Sequence, residues 1–594
     1  MDAGTQVPYR KTFLRLTGFL RPYKLSLTVS CVLSGVTQGL QIALYAITGT
    51  VIDKAIVPHD ESRLWRYVII IAIIGVVKAL AMAGRRLISG RQALGVEYDM
   101  RNRLYAQLLK LSFGFYDRNQ TGQIMSRATV DLQNVRFFLG YGLVFVFQHV
   151  LTLVGVTAVM FWYDPKLALI TLAMTPVLVG LAYRYSHVSH PVLRDVQQKM
   201  ADVATVAEEN IVGVHVVKSF AQEPQEQQKF ERRSEAVFGQ SVHANRQRAL
   251  YVPLISFIPL LAQAVILLYG GKQVLNGQMP VGHFVAFNLM LTMLSQPLRM
   301  LGMWIGQSQR ATASGERIFQ VIDEPEEVAD TPGATDLPAG DGQIRFEHVS
   351  FAYHPERLVL EDIDLALDAG RTVALIGQTG AGKTTLASLV PRFYDVTDGR
   401  LVIDGADVRD VKLESLRAAI GVISQDPFLF SASVRDNIAF GRQGATDEQV
   451  EGAARLAQAH EFIVRLPDGY DTIIGERGIT LSGGQRQRLA IARALVVDPR
   501  ILILDDATAS VDATTEAHIR LGLRQAMKGR TTIIIAHRLS TIALADEIVV
   551  LDGGRVVARG THDELVESDP VYGQIYEHGL LEHRMIEEVE AAAS

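Results

Sequence analysis

The chain has 594 residues, which is too long for a single hydrophobic core, so several domains are expected. A formal net charge of -5 at pH 7 provides no general basis for binding nucleic acid. The mean hydropathy of +0.17 is high for a soluble enzyme. The single cysteine, Cys31, excludes a disulfide within the chain. Residues 1–7 lack the basic and then apolar layout of a cleaved signal, so we expect membrane insertion to use internal spans.

The first half of the chain contains six apolar stretches, each close to the ~20 residues that a helix needs to cross a bilayer. They lie at about 25–50, 64–84, 140–162, 166–185, 251–271 and 281–305. Large soluble proteins also bury apolar helices, but six of them in one half of a chain favour an all-α transmembrane domain. Only residues 163–166 separate the third stretch from the fourth, which predicts a tight helical hairpin.

Basic residues indicate how these helices are oriented. Lys and Arg are concentrated before the first stretch and after the second and fourth, so both termini of this multi-pass protein are expected on the cytoplasmic side of the inner or plasma membrane. Residues 9–23 place Phe13, Leu16, Phe19 and Leu20 on one helical face and basic residues elsewhere. This pattern predicts an amphipathic helix that lies on the inner leaflet.

Two long polar segments, about 86–139 and 186–250, keep a helical periodicity and are too charged for lipid. They predict helices that extend the spans into the cytosol and turn back at a short tip. A stretch rich in Pro, Gly and Asp then precedes a pattern of short β-branched strands alternating with helices. We therefore expect a transmembrane domain at 1–325, a linker at 326–341, an α/β P-loop ATPase domain at 342–582 and a tail at 583–594.

A phosphate-binding loop lies early in the second half. Residues 377–384 match the pattern GxxxxGK[ST], follow an apolar strand and open a helix. The glycines allow backbone amides to face phosphates, Lys383 supplies a positive charge, and the Thr384 hydroxyl is a Mg²⁺ ligand. The nucleotide-binding residues predicted here are Gly377, Gln378, Thr379, Gly380, Ala381, Gly382, Lys383, Thr384 and Thr385. Asp505, which ends a second apolar strand, suits a partner of that Mg²⁺.

A second phosphate-binding element, the run LSGGQ at 481–485, lies about a hundred residues further along the chain. A Gly-rich turn that enters a helix forms an anion site from backbone N–H groups and the helix dipole. Two such elements so far apart in one chain suggest that a nucleotide is gripped from both sides. That arrangement implies a dimer, closure driven by ATP, and mechanical work.

This ordered set of motifs resembles the ABC exporters. Residues 342–582 resemble their nucleotide-binding domain and the first half resembles their six-span membrane domain. The resemblance implies ATP and Mg²⁺ as cofactors and ATP hydrolysis coupled to transport. It implies that Tyr353 stacks on adenine and that Asp512 links the two sites of the dimer. The further nucleotide contacts that it implies are Tyr353, Ser482, Gly483, Gly484, Gln485 and Asp512. It also implies that Gln425 senses Mg²⁺ and the attacking water, and that His537 contacts the γ-phosphate.

Further segments resemble the parts through which exporters couple their two halves. Phe115, Tyr116 and Asp117, continuing through residues 121–127, resemble the first coupling region. Residues 210–221 resemble the second, and residues 475–478 resemble the ATPase segment that communicates with the cytosolic tips. As charged helical tips alone, these regions could equally be solvated surface.

Asp506 departs from the family pattern, in which most ABC ATPases have a Glu as general base directly after the Mg²⁺ aspartate. Aspartate is one methylene shorter, so its carboxylate falls about 1–1.5 Å short. A misplacement of ~1 Å can cost on the order of a hundredfold in rate, which predicts weak hydrolysis at the site built on Lys383. Together with the intact LSGGQ run, this resembles the weak-base member of a heterodimeric exporter. A slower homodimer is the alternative.

The cargo is expected to be a small amphipathic or lipid-like molecule, and the expected partners are a second half-transporter and membrane lipid, with no nucleic acid. Polar residues within the spans are candidates for its path, although hydrogen bonds between helices are equally compatible with each. They are Gln38, Gln41, Lys78, Gln148, His149, Gln263, Asn288, Gln296 and Arg299.

Three other classes of protein compete with the exporter interpretation. A chromosomal ATP clamp is disfavoured by the six spans and by the lack of a long heptad insert between Lys383 and Leu481. An importer is disfavoured because importers usually keep spans and ATPase on separate chains. An ATP-gated channel or regulatory subunit is favoured only by Asp506.

Overall fold

The computed structural model describes residues 9–475, 478, 480–506, 513–536, 538–574 and 576–577. Its contacts divide the chain into two compact units. The first comprises the residues up to Leu109 together with Thr121–Glu324, and the second comprises Lys110–Gln120 together with the residues from Pro325 onward. The short segment Lys110–Gln120 therefore packs with the second unit, although its position in the sequence predicts that it belongs to the membrane half.

The first unit is helical throughout its described residues. Its helices are α1 (Tyr9–Gly18), α2 (Lys24–Val51), α3 (Glu61–Lys110), α5 (Thr121–Ser126), α6 (Leu132–Phe137), α7 (Leu143–Tyr163), α8 (Pro165–Val212), α9 (Val214–Ser219), α10 (Glu223–Leu275) and α11 (Val281–Ile322), with α4 (Phe113–Arg118) in the second unit. Among the described residues, six helical segments are long and apolar enough to cross a membrane. The six predicted spans are thus confirmed by length and composition.

The predicted connections between spans are also confirmed. Helix α7 ends at Tyr163 and α8 begins at Pro165, because Asp164 caps α8 by accepting hydrogen bonds from the backbone N–H of Lys166 (2.8 Å) and of Leu167 (2.9 Å). The helical extensions that the sequence predicts to be cytosolic are continuous with their spans. Helix α3 has 50 residues and α8 has 48, so each is roughly 70–75 Å long at ~1.5 Å per residue.

The environment of α1 differs from the prediction. Its apolar face packs against protein: the ring of Phe19, which directly follows α1, stacks on Phe319 of α11 with centroids 6.1 Å apart, and the ring centroid of Phe13 lies 6.0 Å from that of Phe138. Leu16 is buried against Gly315, where an added Cβ would approach its side chain to 2.7 Å. The hydrophobic periodicity correctly indicated a buried face, but periodicity cannot distinguish a lipid surface from a neighbouring helix.

The second unit contains two sheets in its described residues. Its strands are β1 (Ile344–Phe351), β2 (Leu360–Leu367), β3 (Thr372–Ile376), β4 (Asp398–Ile403), β5 (Ala406–Asp407), β6 (Ile420–Ile423), β7 (Ile501–Asp505), β8 (Thr531–Ile535), β9 (Glu547–Asp552) and β10 (Arg555–Gly560). An antiparallel sheet has the order β2-β1-β4-β5, and a six-stranded sheet has the order β10-β9-β3-β8-β7-β6. In the latter, the contiguous strands β9, β3, β8, β7 and β6 are parallel.

Helices cover the six-stranded sheet, as expected for a predominantly parallel sheet. They are α12 (Lys383–Leu389), α13 (Leu413–Ala418), α14 (Val434–Ala439), α15 (Asp447–Leu456), α16 (His460–Val464), α17 (Gly483–Leu495), α18 (Ala513–Met527), α19 (Leu539–Ile542) and α20 (His562–Ser568). The predicted α/β domain that follows an all-α domain is therefore confirmed.

Strand side chains alternate between two hydrophobic clusters, one on each face of this sheet. Val373 and Leu375 belong to the cluster shared with α12 and the antiparallel sheet, whereas Ala374 and Ile376 belong to the cluster shared with α14, α15 and α17. Because successive residues of a strand point to opposite faces, α12 and α17 pack on opposite faces of the six-stranded sheet.

Candidate nucleotide-binding site

The topology of the six-stranded sheet brings the predicted phosphate chemistry to one edge. Strands β3, β7 and β6 are parallel, so their carboxyl ends meet at the same edge. The loop 377–384 follows β3, Asp505 and Asp506 end β7, and Gln425 follows β6. Ligand sites of open α/β sheets lie at this edge, so residues that are widely separated in sequence form one candidate site.

The loop 377–384 requires glycine at two crowded positions. Gly377 has a φ of 154°, and a Cβ there would lie 2.1 Å from the carbonyl oxygen of Leu551. Gly382 has a φ of 99°, and its added Cβ would lie 2.6 Å from the side chain of Leu360. Helix α12 begins directly after Gly382. The glycines therefore allow the chain to turn tightly and present the N-terminus of α12 to an anion.

Lys383 lies within this loop and is only 5% exposed. Its Nζ donates hydrogen bonds to the carbonyl oxygens of Gly377 (2.7 Å) and Gln378 (3.0 Å). Burial lowers the pKa of its ammonium below the usual value, and the nearby negative charge of Asp505 partly opposes that effect. The cation is thus positioned by the loop itself, with Asp505 close enough to influence it electrostatically.

Tyr353 lies at the mouth of the same site. Its hydroxyl shares a hydrogen bond of 3.1 Å with the hydroxyl of Thr385 in α12, while 41% of the residue remains exposed. The ring meets Tyr394 edge-on, with centroids 5.2 Å apart. An exposed ring anchored next to the phosphate loop is suited to stacking on a flat base.

Asp506 has the most unusual environment of the site. Its φ is 40°, it is only 7% exposed, and among the described residues its Oδ1 has no hydrogen-bond partner. Its backbone N–H donates to the carbonyl oxygen of Ile535 at the end of β8, at 3.2 Å. A left-handed backbone and a buried carboxylate oxygen without a partner both cost free energy and are concentrated at functional sites.

The LSGGQ run forms the N-terminus of α17. The Ser482 hydroxyl accepts a hydrogen bond from the backbone N–H of Gln485 (3.3 Å), and the Gln485 side-chain oxygen accepts one from the N–H of Ser482 (2.9 Å). This reciprocal capping box satisfies two of the first-turn donors. The N–H groups of Gly483 and Gly484 have no acceptor within the helix, and Ser482 and Gly483 are exposed. The motif therefore leaves backbone donors at an exposed helix N-terminus, which is the geometry that suits an anion.

Sequence reasoning missed the side chains that connect Lys110–Gln120 to the ATPase sheets. The Phe113 ring packs on Phe393 with centroids 4.4 Å apart, and the Tyr394 hydroxyl donates to Asp117 at 2.6 Å. Burial raises the pKa of Tyr394 well above its usual value, and the hydrogen bond to Asp117 raises it further. Asp117 belongs to the segment whose sequence resembles the first coupling region, but no motif identified the aromatic pair after α12 as its partner. These contacts run without a gap from Asp117 through Tyr394 to Tyr353.

The remaining predicted segments have different outcomes. Residues 210–221 contain α9, a short helix of the first unit without a buried residue, so their docking stays a prediction. Gln425 is exposed after β6. Asp512, His537 and residues 476–477 lie outside the described residues. Among the residues that are described, no group of three or more His, Cys, Asp or Glu could hold a metal ion without other ligands.

Comparison with protein families gives two matches. Residues 27–298 match the model described as the ABC transporter transmembrane region, and residues 360–509 match the model described as ABC transporter. The two matches follow one another along the chain in the same order as the six long apolar helices and the two sheets.

Individual relatives match over nearly the whole chain. The ATP-dependent lipid A-core flippase of Syntrophus aciditrophicus is 37% identical over 577 residues, which are 97% of this chain and 96% of the flippase. The multidrug efflux ATP-binding/permease protein Rv0194 of Mycobacterium tuberculosis is 40% identical over 94% of this chain, which spans only 47% of that protein. The structure of a bacterial Atm1-family ABC exporter with ATP bound superposes with a TM-score of 0.78 at 31% identity, covering 94% of this chain and 98% of that one.

Proposed function

We propose that this chain, which belongs to the ABC transporter family, is one subunit of a dimeric exporter that moves an amphipathic molecule outward across the membrane. It is an ATP-hydrolysing translocase of the exporter type and a multi-pass membrane protein. One observation carries the proposal: a single chain joins six membrane-crossing helices to a sheet edge that collects a phosphate loop, Asp505 and Asp506.

In this proposal ATP binds with its phosphates on the loop 377–384 and its adenine on Tyr353. The Lys383 ammonium, already held beside the loop carbonyls, binds the β- and γ-phosphate oxygens. The oxygens that would hold Mg²⁺ are the Thr384 hydroxyl, the Asp505 carboxylate and the Gln425 amide carbonyl, which are the hard ligands that this ion prefers. When bound, Mg²⁺ neutralises phosphate charge.

Asp506 is proposed as the general base. Its Oδ1 is buried and has no protein partner among the described residues, so it is able to accept a proton from the attacking water. The family resemblance assigns the γ-phosphate contact to His537 and the cross-dimer link to Asp512. Because the Asp506 side chain is short, we expect it to perform this step slowly.

The two faces of the sheet support a dimer. Helix α12, which follows the phosphate loop, and helix α17, which carries LSGGQ, pack on opposite faces. One chain therefore presents its two anion-binding helix ends on opposite faces of a sheet, and in this proposal a second subunit brings a signature to this chain's ATP. This chain also spans about half of the multidrug efflux protein Rv0194, a length consistent with two joined halves.

We further propose that the second subunit is a different half-transporter with a stronger base. The support is the contrast within this chain: an intact and capped LSGGQ helix accompanies a shortened base. The LSGGQ run would then complete the partner's productive site, while this chain's own loop retains ATP longer. A homodimer that hydrolyses ATP slowly is the competing arrangement.

The decisive experiment reconstitutes the purified chain, alone and with a candidate partner half-transporter, in proteoliposomes whose ATPase domains face outward. We expect ATP-dependent uptake of a fluorescent amphipathic probe against its concentration gradient. Because the ATPase domains lie outside these vesicles and would lie in the cytoplasm of a cell, uptake here corresponds to outward transport in the cell, with cytoplasmic termini. Uptake that stops when the concentrations are equal on both sides would contradict the exporter and favour an ATP-gated channel. Lys383→Ala proteoliposomes provide the control for leakage.

A further inference from the structure

The membrane unit contains an open cavity of about 460 Å³ lined by α2, α3, α7 and α11. Six of the nine polar residues that the sequence singled out line this one cavity. They are Gln38, Gln41, Lys78, Gln148, His149 and Gln296. Gln263 is exposed elsewhere, Asn288 bonds its own helix through Phe284 O, and the side chain of Arg299 lies outside the described part of the chain. The cavity has the volume of a small-molecule site.

The charged groups described at this cavity are positive. Lys78, which follows the apolar run 68–74 of α3, donates a hydrogen bond to the neutral side-chain oxygen of Gln41. Among the described residues that line the cavity, none is acidic. A second cation is close, because the Arg85 guanidinium lies 5.2 Å above the ring of Phe145, which is itself a lining residue. An ammonium group without a carboxylate partner at membrane depth is expensive and is usually functional.

The same cavity offers an apolar surface and unused polar atoms. The rings of Phe145 and Trp304 stack with centroids 5.2 Å apart, and both line the cavity. Among the described residues, the Trp304 Nε1 and the Gln148 Oε1 are buried without a hydrogen-bond partner. Buried polar atoms are normally paired, and these two belong to side chains that line the cavity.

We propose that this cavity binds the anionic head group of an amphipathic substrate, with Lys78 as its counter-ion and the Phe145–Trp304 stack as its apolar wall. The inference rests on the proposed function and narrows its substrate class to anionic amphiphiles. An anion accepts from the Lys78 ammonium, whereas a cationic head group would face Lys78 and Arg85 with like charge. The Thr152 hydroxyl donates to the Gln38 side-chain oxygen at 3.1 Å, which orients one more lining amide.

The test is a fluorescence titration of the full-length chain in phosphatidylcholine nanodiscs without nucleotide. Three probes with the same dansylaminoundecyl chain are compared: the carboxylate, its primary amide and the corresponding amine. A hydrogen bond between charged groups contributes enough to change affinity by about tenfold. We therefore expect the carboxylate to bind about tenfold more tightly than the amide, and the amine to bind most weakly. Equal affinity of all three probes would overturn the proposal.

Variants then assign the effect to Lys78. Lys78→Gln should reduce carboxylate binding to the level of the amide and leave amide binding unchanged, and Lys78→Arg should restore the preference. The matched control is Lys166→Gln, which removes an exposed lysine of α8 outside the cavity. If Lys78→Gln weakens both probes equally, its role is structural and the proposal is wrong. Should that variant fail to assemble, the comparison of the three probes on the unaltered chain still decides.

The same nanodiscs separate this inference from the proposed function. ATP hydrolysis is measured on the unaltered chain, because probe binding without nucleotide does not depend on it. Absence of ATP hydrolysis, both by the chain alone and with a candidate partner half-transporter, together with a carboxylate preference would refute the transport function and preserve the cavity assignment. Normal hydrolysis without any preference for the carboxylate would refute the cavity assignment and leave the transport function standing.

Discussion

The two phosphate-binding elements of the ATPase unit differ in how completely they are built. At the end of α17, the signature has a closed capping box, with Ser482 and Gln485 satisfying each other's backbone N–H groups. At the end of β7, the base position has a short carboxylate with one unpaired oxygen and a left-handed backbone. The signature lies at the start of a helix on one face of the sheet, whereas the base position follows a strand of the sheet itself. One element can therefore change while the other is preserved, which is how a dimer with two unequal ATP sites could arise.

Lys383→Ala should have the largest effect on the difference between the two elements, because it removes the ammonium group of the phosphate loop. Removing a positive charge that is already positioned where negative charge develops on the phosphate lowers the rate by on the order of a hundredfold or more. We expect hydrolysis at this chain's own site to fall by at least about a hundredfold, measured as ATPase activity and as photolabelling by an azido-ATP. Lys412→Ala, which removes a lysine paired with Asp336 at the surface, should change neither.

Asp506→Glu should have the opposite effect and raise the rate of hydrolysis at this chain's own site. The added methylene moves the carboxylate toward the attacking water, so hydrolysis at this site should rise by up to about a hundredfold. The ATPase activity of the purified chain measures this gain. Asp552→Glu, an exposed position on β9, is the matched control. If the unaltered chain alone hydrolyses ATP rapidly and Asp506→Glu adds little, the heterodimer argument fails.

Ser482→Ala tests the signature side. Losing the cap costs about 1 kcal/mol of helix stability, and in addition it removes a hydroxyl from the anion site. We expect the steady-state ATPase activity of the dimer to fall about tenfold while this chain's own site still binds ATP. Thr446→Ala removes a capping box of the same kind at α15, away from the sheet edge. If it lowers activity equally, the effect of Ser482 is only on stability.

Tyr394→Phe should have the smallest effect, because it removes only the hydroxyl that donates to Asp117. The aromatic contacts with Phe113 and Tyr353 remain. A lost hydrogen bond to a charged group predicts a decrease of several-fold in transport per ATP hydrolysed. The measurement is the ratio of probe uptake to phosphate release. Tyr470→Phe, which removes another part-buried hydroxyl bonded to His460, should leave that ratio unchanged, and an equal decrease would contradict a coupling role for Asp117.

Prediction from sequence succeeded where the chemistry is local. The loop 377–384 needs closely spaced glycines, a lysine and a hydroxyl that follows it, and the order of residues alone displays them. The six spans can also be recognised from the sequence, since ~20 apolar residues are required wherever a helix crosses lipid. Prediction failed for α1, because the same apolar face suits lipid and a neighbouring helix. It also missed Tyr394, because nothing near it in the sequence identifies Asp117 as its partner.

The sequence by itself determined the order of the two domains, the phosphate loop, the LSGGQ run and the shortened base at Asp506. Each depends on residues that are consecutive or follow a fixed helical or strand period. Only the tertiary structure decided that α12 and α17 occupy opposite faces of a sheet, that Lys110–Gln120 packs with the ATPase sheets, and that six scattered polar residues line one cavity around Lys78. Those features depend on contacts between distant segments, which packing of the core establishes and sequence spacing does not reveal.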